Sequence, residues 1–180
     1  EIDAKLKADD NGIPIFVGVM NGALPFMYEL VKHVTTPCQL DTIKVSSYEG
    51  TETTGEVKVQ KEPDHCLEGK DVVLVEDIID TGVTMHFLRA FIMKKYKPKN
   101  LYVCILIKRN NLKMKYDENA EFTGLTTDEQ RYIVGFGFDY YGLFRNAPYV
   151  FVPSIKDIKE WGNLLEEDKA KSELVKKHSK

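Results

Sequence analysis

The chain has 180 residues, 43% hydrophobic and 29% charged, with a formal net charge of −3, which is the composition of an ordinary globule with one well-buried core rather than a disordered or fibrous chain. Its Lys and Arg residues are dispersed, which excludes the electrostatic footprint of a nucleic-acid or anionic-membrane binder, so any phosphate binding must be local. Cys38, Cys66 and Cys104 form an odd, widely spaced set without a CxxC, which argues against a disulfide framework and a zinc site and points to the reducing cytoplasm.

In chain order, the opening "EIDAKLKADDNG" is polar and has no signal-peptide core, and no apolar run of the sequence approaches membrane-spanning length. "IPIFVGVM" predicts a buried strand, followed by a tight Asn21-Gly22 turn and a helix over "ALPFMYELVKHV" whose Leu24, Met27, Leu30 and Val31 recur at helical spacing. "QLDTIKVSSY" predicts a strand that leads into the polar, Gly-bounded "EGTETTG", and "EVKV" predicts its returning partner. "KEPDHCLEGK" reads as loop and "DVVLVED" as another buried strand.

"MHFLRAFIMKKY" places Met85, Leu88, Phe91 and Ile92 on one helical face, ends in basic residues and has Pro98 beyond it as a stop. "NLYVCILIKR" is an apolar strand that ends in a charged pair. After Arg109 the pattern reads as polar loop, then the Gly- and aromatic-rich "RYIVGFGFDYYGLFRN", then a short strand "YVFVP". Ser154 and Asp157 form a capping-box pattern ahead of a helix with Ile155, Ile158, Trp161 and Leu165 on one stripe, and the charged tail continues it into solvent. Strands alternating with helices predict an α/β fold: a mostly parallel twisted sheet flanked by helices, one domain over 1–153 with a helix and charged tail over 154–180.

Chemistry concentrates in "VVLVEDIIDTGVTM", Val72 to Met85, where a buried strand runs into Glu76, Asp77 and Asp80 and then Thr81, Gly82, Val83 and Thr84. In an open parallel sheet, ligands bind beyond the carboxyl ends of the strands, where loops and helix N-termini converge. Hydroxyls and consecutive N–H groups at the positive end of a helix suit a phosphate dianion. Carboxylates beside that phosphate make sense if Glu76 and Asp77 face a sugar diol or a Mg2+ ion. The plainer reading is an acidic, well-capped helix start without a ligand, and the pattern alone permits both.

The residue order decides between them by likeness. An apolar strand, then Glu-Asp, then Asp-Thr-Gly-x-Thr, closely resembles the phosphoribosyl-pyrophosphate motif of the type I phosphoribosyltransferases. From about Ile13 to Pro153 the likeness continues in order: "VGVMNGALPF" is similar to the family's first pyrophosphate loop, "KVSSYEGTETTGEVKV" to its flexible catalytic loop, and "LIKRN" with "YIVGFGFDYYGLFRN" to the purine-binding segments of its 6-oxopurine branch.

The resemblance implies a fold with a small hood subdomain. It also implies transfer of a 5-phosphoribosyl group from phosphoribosyl pyrophosphate to N9 of hypoxanthine or guanine, with Mg2+, in two ions when closed, and a homodimer or homotetramer. It assigns ribose and metal to Glu76 and Asp77, the 5-phosphate to Asp80, Thr81, Gly82, Val83 and Thr84, and acid/base work at N7 to Asp80. Pyrophosphate falls to Asn21, Gly22 and Arg145, across a non-proline cis bond at Met20-Asn21, with Ser47 and Tyr48 of the loop over it. Many family members have Lys where Asn21 stands. The base falls to Lys108, Tyr132, Ile133 and Asp139, the last also beside the second metal.

Side-chain chemistry supports part of this independently. Lys108 carries only donors, so it can serve a carbonyl at purine C6 but cannot accept from an amino group. Taken singly, Lys108 also fits a solvated strand end, Tyr132 a core or interface ring, and Arg145 an ordinary ion pair. His33, His65, His86 and His178 have no ligand spacing and read as structural. A non-catalytic nucleotide-binding regulator, or an orotate or adenine transferase, would fit less well, because Asp80 and Lys108 are both present.

Overall fold

The computed structural model describes every residue except 10, 48–56, 111–114, 117 and 179–180, and of 8, 9, 47 and 173–178 it describes the backbone only. Six strands form its sheet: β1 (Ile15–Met20), β2 (Gln39–Ser47), β3 (Val57–Lys61), β4 (Asp71–Ile79), β5 (Asn100–Arg109) and β6 (Phe122–Thr127). They lie in the order β3-β2-β1-β4-β5-β6, with β3 antiparallel to β2 and every other pair parallel. Among the described residues the helices are α1 (Ile2–Asp9), α2 (Leu24–Val31), α3 (Val83–Tyr96) and α4 (Ile155–His178).

The central strands are apolar without interruption because both faces are covered. Alternate residues divide between two cores: Ile15, Val17, Val72, Leu74, Val103 and Ile105 pack with Met85, Leu88 and Ile92 of α3. Phe16, Val73, Val75 and Tyr102 pack on the other face with Phe26 and Met27 of α2 and with Ile2 and Leu6 of α1. The α3 face is the one its spacing predicts, with Phe91 packed at the margin. On α2 the expectation fails at Leu24, which is 46% exposed, while Phe26 takes the buried position.

Three further corrections concern weak apolar signals. The opening segment, expected only as a polar stretch, is a helix that buries Ile2 and Leu6 one turn apart. The region after Arg109, expected as loop, contains β6, whose residues are largely exposed because it closes one edge of the sheet. The expected strand at "YVFVP" reduces to a single bridge between Val134 and Phe151. Of the expected mobile loop, Ser46 and Ser47 pair with Lys58 and Val57 as the ends of β2 and β3, and the residues between lie outside those described.

Parallel pairing brings the carboxyl ends of β1, β4 and β5 to one edge. Over that edge sits a hood in which Ile133 and Phe138 pack on Ile107, with Ile78, Val150 and Val152 at the margin. α4 docks on the hood through Trp161, 3.9 Å from the Phe144 ring and 5.6 Å from that of Tyr140. Its start has the expected reciprocal cap: Ser154 N–H donates to Asp157 Oδ2 (2.7 Å) and Asp157 N–H to Ser154 Oγ (3.1 Å).

Candidate active site

β4 ends at Ile79 and α3 begins at Val83, so Asp80, Thr81 and Gly82 make the whole connection. Gly82 has φ 78°, and no side chain caps the helix it opens. The plain capping reading of this stretch therefore does not hold: the acidic and hydroxyl side chains leave the first N–H groups of α3 free for another acceptor.

Two cavities meet here. One, of about 220 Å3, is lined by Glu76, Asp77, Asp80, Thr81, Gly82 and Thr84, together with Ile78, Ile79 and Met85. The other, of about 260 Å3, is lined by Asp77, Asp80, Arg109, Tyr132, Ile133 and Asp139, together with Ile78, Gln130 and Phe138. Asp77, Ile78 and Asp80 belong to both walls. A third cavity of about 350 Å3, against α1, α2 and the start of β6, is mainly apolar and lies away from this edge.

The carboxylates at the shared wall are held in an unusual state. Burial, then the neighbouring Asp77 charge, pushes the Glu76 carboxyl well above the usual carboxylate range. Burial also raises Asp77, against the pull of the Ile78 N–H, which donates to Asp77 Oδ1 at 2.7 Å, and of the Arg145 charge. Glu76 Oε2 is buried without a hydrogen-bond partner. Two adjacent carboxyls with an unfilled buried oxygen are a fitting half-site for a hard cation. Among the described residues no group of three or more His, Cys, Asp and Glu could hold a metal ion.

Asp80 is half exposed, with Oδ1 3.4 Å from Arg109 Nε. The Met20-Asn21 bond is cis, Asn21 is exposed, and Gly22 packs directly against the Asp77 carboxylate. Beside the second cavity the hood residues hold one another: Arg145 Nη2 pairs with Asp139 Oδ1 (2.6 Å), Gly142 N–H donates to Asp139 Oδ2 (2.6 Å), and Tyr132 O–H donates to the Asp139 carbonyl (2.5 Å). Tyr132 lines this cavity and is 54% exposed, so a core role does not account for it.

The arrangement brings together Glu76, Asp77, Asp80, Thr81, Gly82 and Thr84 at one wall, with Tyr132, Ile133 and Asp139 at the other, and Arg145 lines neither cavity but pairs with Asp139. Val83 is the first residue of α3 and lines neither wall. Lys108, half-buried at the end of β5 beside Ile79, also lines neither cavity. Ser47 ends β2 with its side chain outside the description, and Tyr48 lies outside the described residues.

The sequence reading passed over Arg109, treating it as half of a charged pair. Its side chain is only 9% exposed, and its Nη1 and Nη2 donate to the carbonyls of Gln130 (3.3 Å) and Arg131 (3.2 Å). Strand alternation was the available signal: neighbouring residues of a strand face opposite sides of the sheet, so Lys108 and Arg109 could not be read as one charged pair with one role.

The chain matches the phosphoribosyl transferase domain family over residues 2–141. It is 44% identical over 155 residues to the hypoxanthine-guanine phosphoribosyltransferase of Streptococcus agalactiae serotype V, covering 84% of each chain. To the enzyme of the same name from Bacillus subtilis it is 37% identical over 154 residues, again covering 84% of each. Among solved structures, a hypoxanthine phosphoribosyltransferase from Staphylococcus aureus superposes with a TM-score of 0.76 at 34% identity, covering 86% of this chain and 84% of that one.

Proposed function

The chain belongs to the phosphoribosyl transferase domain family, and from that premise we propose the reaction in which its two cavities cooperate. It transfers the 5-phosphoribosyl group of phosphoribosyl pyrophosphate to N9 of hypoxanthine or guanine, giving IMP or GMP and pyrophosphate, a step of purine salvage. The observation that carries this reading is the common wall: Asp77 and Asp80 border both a phosphate-sized cavity at a helix start and a second cavity beside an exposed aromatic ring.

In this reading the 5-phosphate accepts from the uncapped N–H groups of α3 and the hydroxyls of Thr81 and Thr84. Glu76 and Asp77 hold the ribose hydroxyls. The purine stacks on Tyr132, a contact worth about 1–3 kcal/mol, with the backbone at Ile133 along its N1 and N2 edge. Lys108 donates to the carbonyl at C6, which admits 6-oxopurines and leaves adenine's amino group unpaired. Asp80, at the junction, takes the proton from N7 as N9 bonds to ribose C1. Asn21 and Gly22 present N–H groups to pyrophosphate, Arg145 offers its fork, and Ser47 and Tyr48 close over it to exclude water.

Glu76 and Asp77 are the residues that would hold Mg2+, and when bound it supplies charge neutralisation for the departing pyrophosphate. A second ion beside Asp139 would compete with the Arg145 pair on Asp139 Oδ1. The same reading places the enzyme in the cytoplasm as a homodimer or homotetramer, which subcellular fractionation and sedimentation would check.

The test is turnover of phosphoribosyl pyrophosphate with Mg2+ and hypoxanthine, guanine, xanthine or adenine in turn, with Asp80→Asn alongside. The expected result is IMP and GMP formation, little with adenine, and a loss of about 10²–10⁴-fold in the variant. No turnover of any 6-oxopurine would overturn the assignment.

A further inference from the structure

The phosphate-side loop is held from behind by residues that no part of the reaction has yet used. Thr81 carbonyl oxygen accepts from two consecutive N–H groups, those of Lys115 (2.9 Å) and Tyr116 (3.2 Å). A trans peptide directs its C=O and N–H to opposite sides. The Thr81–Gly82 peptide, with its carbonyl fixed on Lys115 and Tyr116, therefore turns the Gly82 N–H away from them. Gly82 lines the phosphate-side cavity, and neither Lys115 nor Tyr116 does.

The contact is close enough to depend on glycine. A Cβ on Gly82 would lie 2.1 Å from the Tyr116 carbonyl oxygen, and Gly82 φ is 78°, so the backbone of one segment rests directly on that of the other. The strap is fastened to α3 as well. The Tyr116 ring stacks on that of His86 with centroids 4.0 Å apart and planes 1° from parallel. His86 Nδ1 lies 2.7 Å from Glu118 Oε1, and Arg89 Nε lies 3.2 Å from Glu118 Oε2. Three residues of α3 and its lead-in, Gly82, His86 and Arg89, thus meet one short stretch of chain between β5 and β6.

We propose that Tyr116 and His86 are positioning residues for the 5-phosphate: their stack holds the Lys115 and Tyr116 N–H groups on the Thr81 carbonyl and so fixes the N–H array that receives the phosphate. The proposal rests on the phosphoribosyl transfer reading above. It gives the β5–β6 connection a function, and it changes the reading of His86, which sequence spacing marked as merely structural.

The effect should fall on the phosphate end of the substrate and spare the base. A misdirected N–H to a charged group corresponds to a loss of about tenfold or more in affinity. Tyr116→Ala and His86→Ala should each weaken ribose 5-phosphate binding, measured by calorimetry, by about tenfold and raise KM for phosphoribosyl pyrophosphate comparably. KM for hypoxanthine should move less than about threefold, and the double variant should add little to either single one, because both remove one stack. Tyr116→Phe, which keeps the ring, should restore wild-type affinity. Unchanged ribose 5-phosphate affinity in both alanine variants would overturn the proposal, as would an equal loss in Tyr116→Phe or an equal rise in the two KM values. Should Tyr116→Ala fail to fold, His86→Ala, whose side chain is half exposed, decides alone. If the wild-type protein neither binds ribose 5-phosphate nor turns over phosphoribosyl pyrophosphate, it is the transferase reading that fails.

Discussion

Gly22 lies so close to Asp77 that a Cβ on Gly22 would sit 1.8 Å from Asp77 Oδ2. The turn that follows β1 is thus pressed against a carboxylate of β4, so the loop proposed for pyrophosphate and the wall proposed for ribose share one contact. Gly22→Ala must push the Asp77 carboxylate aside. Misplacing a reacting geometry by about 1 Å costs about 10²-fold, and a loss of that order in kcat/KM is expected. Steady-state kinetics, with circular dichroism to confirm the fold, measures it.

Arg109 ties the acid/base candidate to the turn that leads into Tyr132, through Asp80 on one side and the Gln130 and Arg131 carbonyls on the other. Arg109→Met leaves those carbonyls without their donors and Asp80 without its counter-charge. KM for hypoxanthine should rise about tenfold, the equivalent of one lost charged hydrogen bond, with a smaller change for phosphoribosyl pyrophosphate. Arg109→Lys keeps the charge without the fork and should fall between.

Glu76 and Asp41 should oppose each other in their effect on stability with pH. Burial and the Asp77 charge raise the Glu76 carboxyl. Its contribution is fully present below the ordinary carboxylate value and is lost as pH rises through the raised one. Glu76→Gln removes that loss, so in urea unfolding without ligand the variant should gain on the wild type between pH 5 and 8. Its Mg2+-dependent turnover should fall.

Asp41 runs the other way. Burial pushes it up, but N–H donors from His65 (2.7 Å), Asp64 (2.8 Å) and Thr42 (2.6 Å) outweigh that and hold it below its ordinary value. Its contribution is present above the ordinary value and disappears as pH falls through the depressed one. Asp41→Asn should cost about 2 kcal/mol at pH 7 and less at pH 3, in urea unfolding at each pH.

The parts of this fold that are legible in the sequence are those where burial and period agree. β1, β4 and β5 are apolar on both faces, and α3 repeats Met85, Leu88 and Ile92 at helical spacing. α1 escaped because, among its described side chains, only Ile2 and Leu6 are buried, and β6 because an edge strand needs little apolar surface. Leu24 misled because it sits on the outward side of the first turn of α2, whose inward side is taken by Phe26 and Met27. At the site, Glu76 to Thr84 was readable because one continuous stretch carries the groups proposed for ribose, proton and phosphate. Arg109, Tyr116 and His86 were not, because their partners lie 29, 35 and 32 residues away in sequence (Arg109 with Asp80, Tyr116 with Thr81, His86 with Glu118).

A crystal structure with IMP bound tests the central claim most directly. The 5-phosphate should lie against the N–H groups of residues 81–84, the ribose hydroxyls at Glu76 and Asp77, and the purine on Tyr132 with its C6 oxygen accepting from Lys108. IMP bound with its phosphate away from the start of α3, or with its base anywhere but the cavity beside Tyr132, would contradict the account.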